Sequence, residues 1–202
     1  AFERELEKYC RVPYAQATSS GTASLLISLL ALGVQPGDHV IVPTFGFVAT
    51  YSAAIFAGAV PILCDIDESF TIDPSKIKEK ISDKTKVIVP VHALGNPSNM
   101  DSILAIARHH GLAVLEDSCQ SAGGSYRGKK LGAIGDMGVF SLNIFKTMTA
   151  GEGGAVLTSN PKLYERVFGL HDQGYKPLPP LLEIGQNSIL GLNFRINELT
   201  GA

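Results

Sequence analysis

The alternation of short apolar runs with segments of helical periodicity is the feature that most limits how this chain can fold. It continues over most of the 202 residues. Such alternation is typical of a mostly parallel sheet with helices on both faces. The predicted strands lie near residues 15–18, 39–42, 60–64, 86–91, 112–115, 137–141 and 154–158, and the predicted helices near 2–10, 22–32, 47–57, 74–81, 99–109 and 161–169.

The alternation ends near residue 170. Residues 171–191, HDQGYKPLPPLLEIGQNSILG, are rich in proline and glycine and only weakly periodic. We therefore predict a large domain over residues 1–170, and an excursion over 171–202 that starts the link to a smaller C-terminal domain. The first residues resemble the middle of a helix, so we expect the chain to be a piece of a longer protein.

Charge and cysteine content limit the partners of the protein. The formal net charge is -2, and there is no run of lysine or arginine, which argues against nucleic acid or a membrane surface as the main partner. The three cysteines show no CxxC spacing, so neither a disulfide framework nor a zinc site is indicated. No signal peptide is evident, and we expect a cytoplasmic protein that acts on a small molecule.

Ligands of an open parallel sheet bind beyond the carboxyl ends of its strands. The first polar group at such a position is Ser20, Gly21 and Thr22, directly before a strongly apolar helix. The N–H groups at a helix start, with the helix dipole behind them and hydroxyls beside them, form a phosphate site. The same residues also suit an ordinary helix cap with a glycine turn.

A second group follows the apolar run 112–115 and contains Asp117 and Gln120. A carboxylate at this edge could bind a metal, but no histidine or second acid is spaced to complete a coordination shell, so no metal is predicted. The carboxylate could instead hold a proton on a heterocyclic nitrogen. It could also cap a loop.

Two further groups complete the edge. Phe45 and Phe47 fall between a predicted strand and a helix, where an aromatic ring is either part of the core or free to lie flat on a planar ligand. Ser141 ends a predicted strand, and Lys146 follows it before a glycine-rich loop. A desolvated lysine amine is a nucleophile toward carbonyl groups and forms Schiff bases, whereas an exposed one is only a solvated charge.

These four groups together match the needs of one cofactor, pyridoxal phosphate. It requires a phosphate cradle, an aromatic ring against its own ring, a carboxylate for its ring nitrogen and a lysine. Each group alone is weak evidence, but the set in this order is much stronger. A Rossmann nicotinamide site is the alternative for such a sheet, but no G-x-G-x-x-G follows the first strand.

Several long stretches resemble the DegT/DnrJ/EryC1/StrS aminotransferases. They are SSGTASL, GDHVIVPTFGFVATYSAAIFAGAVPILCDID, VIVPVHALGNPSNMDSI, VLEDSCQSAGGSYRGKKLGAIGDMGVFSLNIFKTMTAGEGGAVLT and GLNFRINEL. The resemblance runs in order over nearly the whole chain, and residues 116–158 are its most specific part. It implies the three-layer α/β/α large domain of fold type I enzymes, with a mostly parallel mixed sheet. It also implies pyridoxal phosphate and the amination of nucleotide-linked keto sugars by glutamate or glutamine.

The resemblance also assigns roles by position. It implies that Lys146 forms the Schiff base and moves the proton, that Asp117 pairs with the ring nitrogen, and that Gln120 lies near the phenolic oxygen. His92 stands in the family's PVH motif, where a structural role between strand and loop is an equal alternative.

The remaining positions concern the phosphate and the ring. Thr22 and Ala23 match the backbone phosphate grip, Ser141 matches a hydroxyl that joins it, and Phe47 matches the stacking aromatic. Asn193 matches an asparagine that reaches the phosphate of the neighbouring subunit. The resemblance therefore implies a homodimer with shared active sites.

Three other functions remain open within the same fold. One is amination of a carbocyclic ketone, as in cyclitol or aminohydroxybenzoate synthesis. Another is the sugar 3-dehydratase branch, in which histidine replaces the Schiff-base lysine, whereas this chain has Lys146. The third is a non-catalytic regulator, which we would expect to have lost Lys146 or Asp117.

Overall fold

The computed structural model describes residues 1–175 and 189–202, so part of the predicted excursion lies outside the described residues. The helices are α1 (Phe2–Cys10), α2 (Gly21–Ala31), α3 (Val48–Phe56), α4 (Pro74–Lys80), α5 (Met100–His110) and α6 (Pro161–His171), with a short 3-10 helix at Ala93–Gly95. The strands are β1 (Tyr14–Thr18), β2 (His39–Pro43), β3 (Val60–Cys64), β4 (Thr85–Ile88), β5 (Ala113–Asp117), β6 (Ser125–Tyr126), β7 (Lys129–Lys130), β8 (Met137–Ser141) and β9 (Gly154–Thr158).

Within the described residues, seven strands form one mixed sheet in the order β1-β9-β8-β5-β4-β2-β3. Neighbouring strands from β3 to β8 are parallel, whereas β9 is antiparallel to both β8 and β1. Strand β9 is reversed because residues 142–153 return the chain directly beside β8 without a crossover helix. The predicted mostly parallel, mixed sheet is confirmed. The carboxyl ends of β1, β5 and β8 and the start of β9 therefore meet at one edge.

Helices cover both faces of the sheet and produce three layers. Along β2, Val40 and Val42 pack in a core with α2, α3 and α6, whereas Ile41 belongs to a core with α4 and α5. A third core contains α1 and Phe140 of β8, whereas the adjacent Val139 belongs to the core with α2. Helix α1 therefore lies on the face of the sheet opposite α2, which is also the face of α4 and α5. Alternate residues of a strand point to opposite faces, which accounts for this division.

Two local features differ from the sequence prediction. Strand β4 ends at Ile88 rather than at residue 91, because Pro90 has no N–H to continue the ladder. The β6–β7 hairpin was not predicted. Its two turn residues, Arg127 and Gly128, both have positive φ, as a type I′ turn requires, but only the second of them is a residue that favours this conformation.

Residues 192–194 return to the sheet domain after the undescribed segment. The N–H of Leu192 donates to the carbonyl of Leu170 at 3.1 Å, and the N–H of Phe194 donates to that of His171 at 2.9 Å. The N–H of Ser19 in turn donates to the carbonyl of Phe194 at 2.7 Å. The division predicted at residue 170 stays a prediction. No helix in the described part of the chain is long and apolar enough to cross a membrane.

Candidate active site

A pocket of about 420 Å³ opens at the shared edge formed by the ends of β1, β5 and β8. Its wall combines polar side chains that come from separate parts of the sequence. The predicted site residues on this wall are Thr22, Phe47, Asp117, Gln120, Ser141 and Lys146. The structure therefore brings six of the eight predicted site residues to one place.

The start of α2 forms one end of the pocket. Ser20 caps the helix, and its Oγ accepts a hydrogen bond from the N–H of Ala23 at 3.0 Å. The N–H groups of Gly21 and Thr22 lie in the first turn, where a helix offers no carbonyl partner of its own. Ala23 is buried and not on the pocket wall. A role for the Ala23 N–H in phosphate binding stays a prediction, and it requires this cap to open.

Gly21 allows α2 to approach the end of β8 closely. A Cβ atom on Gly21 would lie 2.7 Å from Cβ of Ser141 and 3.1 Å from Sγ of Cys119. The first separation is too short for normal packing, and the second would require the sulfur to move by a few tenths of an ångström. The missing side chain therefore places the first helical amides beside the Ser141 hydroxyl, which is the arrangement that a phosphate site needs.

The carboxylate of Asp117 is buried at the end of β5 and is held at both oxygens. Oδ2 accepts a hydrogen bond from Oγ1 of Thr50 at 2.7 Å, and Oδ1 accepts one from the N–H of Cys119 at 3.1 Å. The backbone is also fixed, since the N–H of Asp117 donates to the carbonyl of Pro90 at 2.9 Å. The negative charge is thus stabilised where it faces the pocket.

The thiol of Cys119 is part of the same wall. Burial raises its pKa well above the usual range, and the negative charge of Asp117 adds to the increase, while Lys146 acts in the opposite sense. The thiol is therefore neutral near pH 7. It lines the pocket as a small apolar group and does not compete with Lys146 as a nucleophile.

Lys146 lies in the loop between β8 and β9, opposite Phe47. Its Nζ is 5.8 Å from the centroid of the Phe47 ring. The loop is braced at its base, where the N–H of Ala150 donates to the carbonyl of Leu142 at 2.9 Å. Nδ2 of Asn143 also donates to Oε1 of Glu152 at 2.8 Å. The lysine amine is thus directed into the space between the aromatic ring and the sheet edge.

Gln120 is oriented by a strained backbone segment. Its Oε1 accepts a hydrogen bond from the N–H of Leu94 at 2.9 Å. Leu94 has a φ of 55°, in the left-handed region that leucine rarely adopts. Phe45, the other aromatic considered at this edge, is not on the pocket wall and packs near Phe70 with ring centroids 5.8 Å apart.

His92 lies outside the pocket in a buried hydrogen-bond network. Its Nδ1 accepts from the N–H of Ser98 at 3.0 Å, so its Nε2 carries the proton and donates to Oε2 of Glu116 at 2.9 Å. Both side chains are fully buried. This geometry favours the structural reading of His92.

Asn193 is also outside the pocket. It is exposed, pairs with Asp172 in an isolated bridge, and its Oδ1 accepts from the N–H of Arg195 at 3.2 Å. Within residues 1–175 and 189–202, no three His, Cys, Asp or Glu side chains are grouped to hold a metal ion.

The chain matches the model of the DegT/DnrJ/EryC1/StrS aminotransferase family over residues 1–202. It belongs to this family. Two characterised relatives show the range of its members. GDP-perosamine synthase of Caulobacter vibrioides is 38% identical over 207 residues, covering 100% of this chain and 53% of the relative. L-glutamine:2-deoxy-scyllo-inosose aminotransferase of Streptomyces fradiae is 37% identical over 208 residues, covering 100% of this chain and 49% of the relative.

A solved structure has the same fold as this chain. The crystal structure of NtdA from Bacillus subtilis with bound cofactor PMP superposes with a TM-score of 0.89 at 37% identity. The match covers 99% of this chain and 45% of that chain. The predicted fold type I architecture is confirmed. This chain spans about half the length of the relatives that it matches.

Sequence reasoning missed Thr50 and Cys119, which hold the Asp117 carboxylate, and Glu116, whose buried carboxylate lies on the other face of the sheet. Thr50 lies in an apolar helix, Cys119 has no recognisable spacing, and Glu116 was passed over beside Asp117. A signal for Glu116 was present, because a charged residue within a strand that is buried on both faces requires partners. Thr50 had no such signal, since a buried threonine in a helix is common.

Proposed function

We propose that this chain is the cofactor-binding part of a pyridoxal-phosphate-dependent aminotransferase. The observation that carries the proposal is the shared pocket, in which the buried carboxylate of Asp117, the amine of Lys146 and the ring of Phe47 face one space beside the start of α2. Each supplies one requirement of the cofactor. A metal-dependent hydrolase or a nicotinamide enzyme would need a different set of side chains.

The residues present fit this cofactor. The first turn of α2 and the Ser141 hydroxyl suit a phosphate group, and the space that a Cβ on Gly21 would fill is kept clear. Asp117 accepts hydrogen bonds from Thr50 and Cys119 and can accept another from a protonated ring nitrogen.

The protein's own residues then have separate tasks. When bound, pyridoxal phosphate supplies an electron sink for the carbanion that forms at the substrate carbon. Lys146 would hold the cofactor through its amine, and the same amine would move a proton to and from that carbon. Asp117 would keep a proton on the ring nitrogen, Phe47 would supply the aromatic ring on one side of the cofactor, and Gln120 would supply a polar group near its phenolic oxygen.

The proposed substrate is a nucleotide-linked keto sugar, with glutamate or glutamine as the amino donor. Support comes from relatives whose names specify such sugars. GDP-perosamine synthase is 38% identical to this chain over 207 residues, and a UDP-N-acetyl-3-dehydro-alpha-D-glucosamine 3-aminotransferase is 37% identical over 201 residues.

A carbocyclic ketone is the second candidate substrate. The 2-deoxy-scyllo-inosose aminotransferases, whose substrate is a cyclitol ketone, are 36% and 37% identical over 208 residues. Sugar dehydration is not favoured, because the dehydratase branch carries histidine where this chain has Lys146. A non-catalytic role is not favoured either, because Lys146 and Asp117 are both retained.

We further propose a cytoplasmic homodimer with shared active sites. The loop that carries Lys146 exposes Ile144 and Phe145, and Phe145 is 91% exposed beside the pocket. Apolar side chains at the rim of a polar site are typical of a surface that another chain covers. Asn193 is exposed and lies outside the pocket of its own subunit. In the proposed dimer it contacts the phosphate in the partner subunit.

An assay of the whole protein tests the proposed function. Pyridoxal phosphate, glutamate or glutamine, and a panel of nucleotide-linked 3-keto and 4-keto sugars are supplied, with 2-deoxy-scyllo-inosose in a parallel reaction. Mass spectrometry of an aminosugar nucleotide supports the first candidate, and an amino-cyclitol supports the second. A deoxygenated sugar, or no product with a folded protein that has bound the cofactor, contradicts both.

A further inference from the structure

Thr50 forms a buried hydrogen bond that the general requirements of the cofactor do not include. It lies in the first turn of α3, and the residue is 2% exposed. Its Oγ1 donates to Oδ2 of Asp117 at 2.7 Å, a contact that joins residues 67 positions apart in the sequence. A hydroxyl this close to a carboxylate forms a charge-assisted hydrogen bond, which is stronger than a neutral one.

This bond fixes the carboxylate in one orientation. Oδ1 of Asp117 is held by the N–H of Cys119 at 3.1 Å, and Oδ2 by Thr50, so rotation about the last side-chain bond would break both contacts. One donor belongs to the loop after β5 and the other to α3. The carboxylate is thus clamped between two elements, with unused lone pairs for a third donor in the pocket.

The same turn of α3 also carries the aromatic side of the pocket. Phe47 is the N-cap residue of α3, and Thr50 lies in the first turn of the same helix. The N–H of Thr50 donates to the carbonyl of Phe47 at 3.2 Å. One helical turn therefore presents a ring to the flat side of a ligand and a hydroxyl to the carboxylate at its edge.

We propose that Thr50 is a positioning residue that orients Asp117 and keeps its negative charge facing the ring nitrogen of the cofactor. The inference rests on the proposed function. Without the hydroxyl, only the N–H of Cys119 still holds the carboxylate, and the ionic pair between Asp117 and a protonated ring nitrogen loses a stabilising donor. The proton then moves from the ring nitrogen toward the carboxylate, which weakens both cofactor binding and the electron sink.

The test uses the whole protein loaded with pyridoxal phosphate that carries ¹⁵N at the ring nitrogen. Thr50→Val removes the hydroxyl at nearly constant shape, Thr50→Ser retains it, and Ser52→Ala removes an exposed hydroxyl of the same helix that bonds only to the carbonyl of Val48. The ¹⁵N chemical shift reports directly whether the ring nitrogen holds a proton. Cofactor affinity is measured separately by titration of each protein without cofactor.

In Thr50→Val, we expect the ¹⁵N signal to move toward that of the unprotonated ring. We also expect cofactor affinity to fall about tenfold, the change typical of losing one hydrogen bond to a charged group. Thr50→Ser and Ser52→Ala should match the wild type in both measurements. If Thr50→Val does not fold, Thr50→Ala carries the same expectation without the added methyl group.

A wild-type ¹⁵N signal in a folded Thr50→Val or Thr50→Ala protein overturns the inference, even if stability falls, because a purely structural threonine predicts that result. Failure of the proposed function is a different outcome. In that case the wild-type protein itself does not bind pyridoxal phosphate at Lys146.

Discussion

Glu116 and Asp117 are consecutive residues of β5, and their carboxylates serve opposite faces of the sheet. Asp117 faces the pocket and α3, whereas Glu116 accepts hydrogen bonds from the N–H groups of Gly132, Ile134 and Gly135 on the other face, at 3.0, 2.6 and 2.7 Å. His92 is its fourth donor. The Glu116 carboxylate thus anchors the loops that follow β4 and β7. Only the Asp117 carboxylate is available to a ligand in the pocket.

Removal of the Glu116 carboxylate should destabilise the fold. Glu116→Ala leaves His92 and three N–H groups, one buried and two partly buried, without their acceptor. The free energy of unfolding should therefore fall by about 3 kcal/mol or more. Urea denaturation measures the change. Glu79→Ala is the matched control. The Glu79 carboxylate is exposed and its one ion pair, with Lys76, is long at 3.9 Å, so its removal should change stability by less than about 1 kcal/mol. Equal effects of the two substitutions would contradict the structural role.

Asp117→Asn should affect activity far more than stability. An amide retains the size and can still accept from Thr50, but it carries no charge to hold a proton on the ring nitrogen. Turnover should fall on the order of 100-fold, as for loss of one preorganised electrostatic group. Steady-state kinetics together with thermal unfolding test this expectation. Wild-type turnover in Asp117→Asn would remove Asp117 from the proposed site.

Gly21→Ala should disturb the phosphate end of the pocket. The added Cβ would lie 2.7 Å from Cβ of Ser141, so α2 and β8 must separate. We expect affinity for pyridoxal phosphate to fall by about tenfold or more, because overpacking a tight contact costs about 1–3 kcal/mol. The control is Gly46→Ala, where a Cβ would have ordinary contacts at 3.7 Å. Unchanged affinity in Gly21→Ala would show that this contact does not shape the cradle.

His171 should make the stability of the fold dependent on pH. Burial lowers the pKa of His171 below its usual value of about 6.5, and Arg195 acts in the same sense, while the Phe168 carbonyl, Asp172 and Glu3 oppose the shift. The unfolded chain therefore takes up a proton at a higher pH than the folded one. The free energy of unfolding should be at its full value above about pH 6.5 and should fall as the pH is lowered below it, by up to about 1.4 kcal/mol per unit.

Urea denaturation between pH 5 and 8 measures this dependence. His171→Asn should flatten the curve below pH 6.5, whereas His110→Asn, at an exposed position, should leave it unchanged. Parallel curves for the wild type and His171→Asn would show that His171 does not titrate in this range.

Much of the fold follows from sequence periodicity. The seven strands of the main sheet were predicted near their observed positions because each is an apolar run bounded by turn residues. The reversed direction of β9 could not be predicted, since a 12-residue connection over 142–153 has no distinctive turn signal. The β6–β7 hairpin was missed because Arg127 adopts a conformation that its residue type does not favour.

The site could be predicted only at residues whose side-chain chemistry is distinctive. Asp117 and Ser141 lie at strand ends and Lys146 follows one, so their shared edge could be derived. Thr50 depends on how α3 packs over β5, which is a tertiary contact between distant positions. The sequence also could not show that Ser20 caps α2 through the N–H of Ala23, because several hydroxyl groups precede that helix.

Borohydride reduction of the whole protein with pyridoxal phosphate, followed by peptide mass spectrometry, tests the central claim most directly. Borohydride converts a Schiff base between the cofactor and a lysine into a stable pyridoxyl adduct. The account predicts this adduct on the peptide that contains Lys146, with none in Lys146→Ala. A folded wild-type protein with no adduct at Lys146, or with the adduct on another lysine, would contradict it.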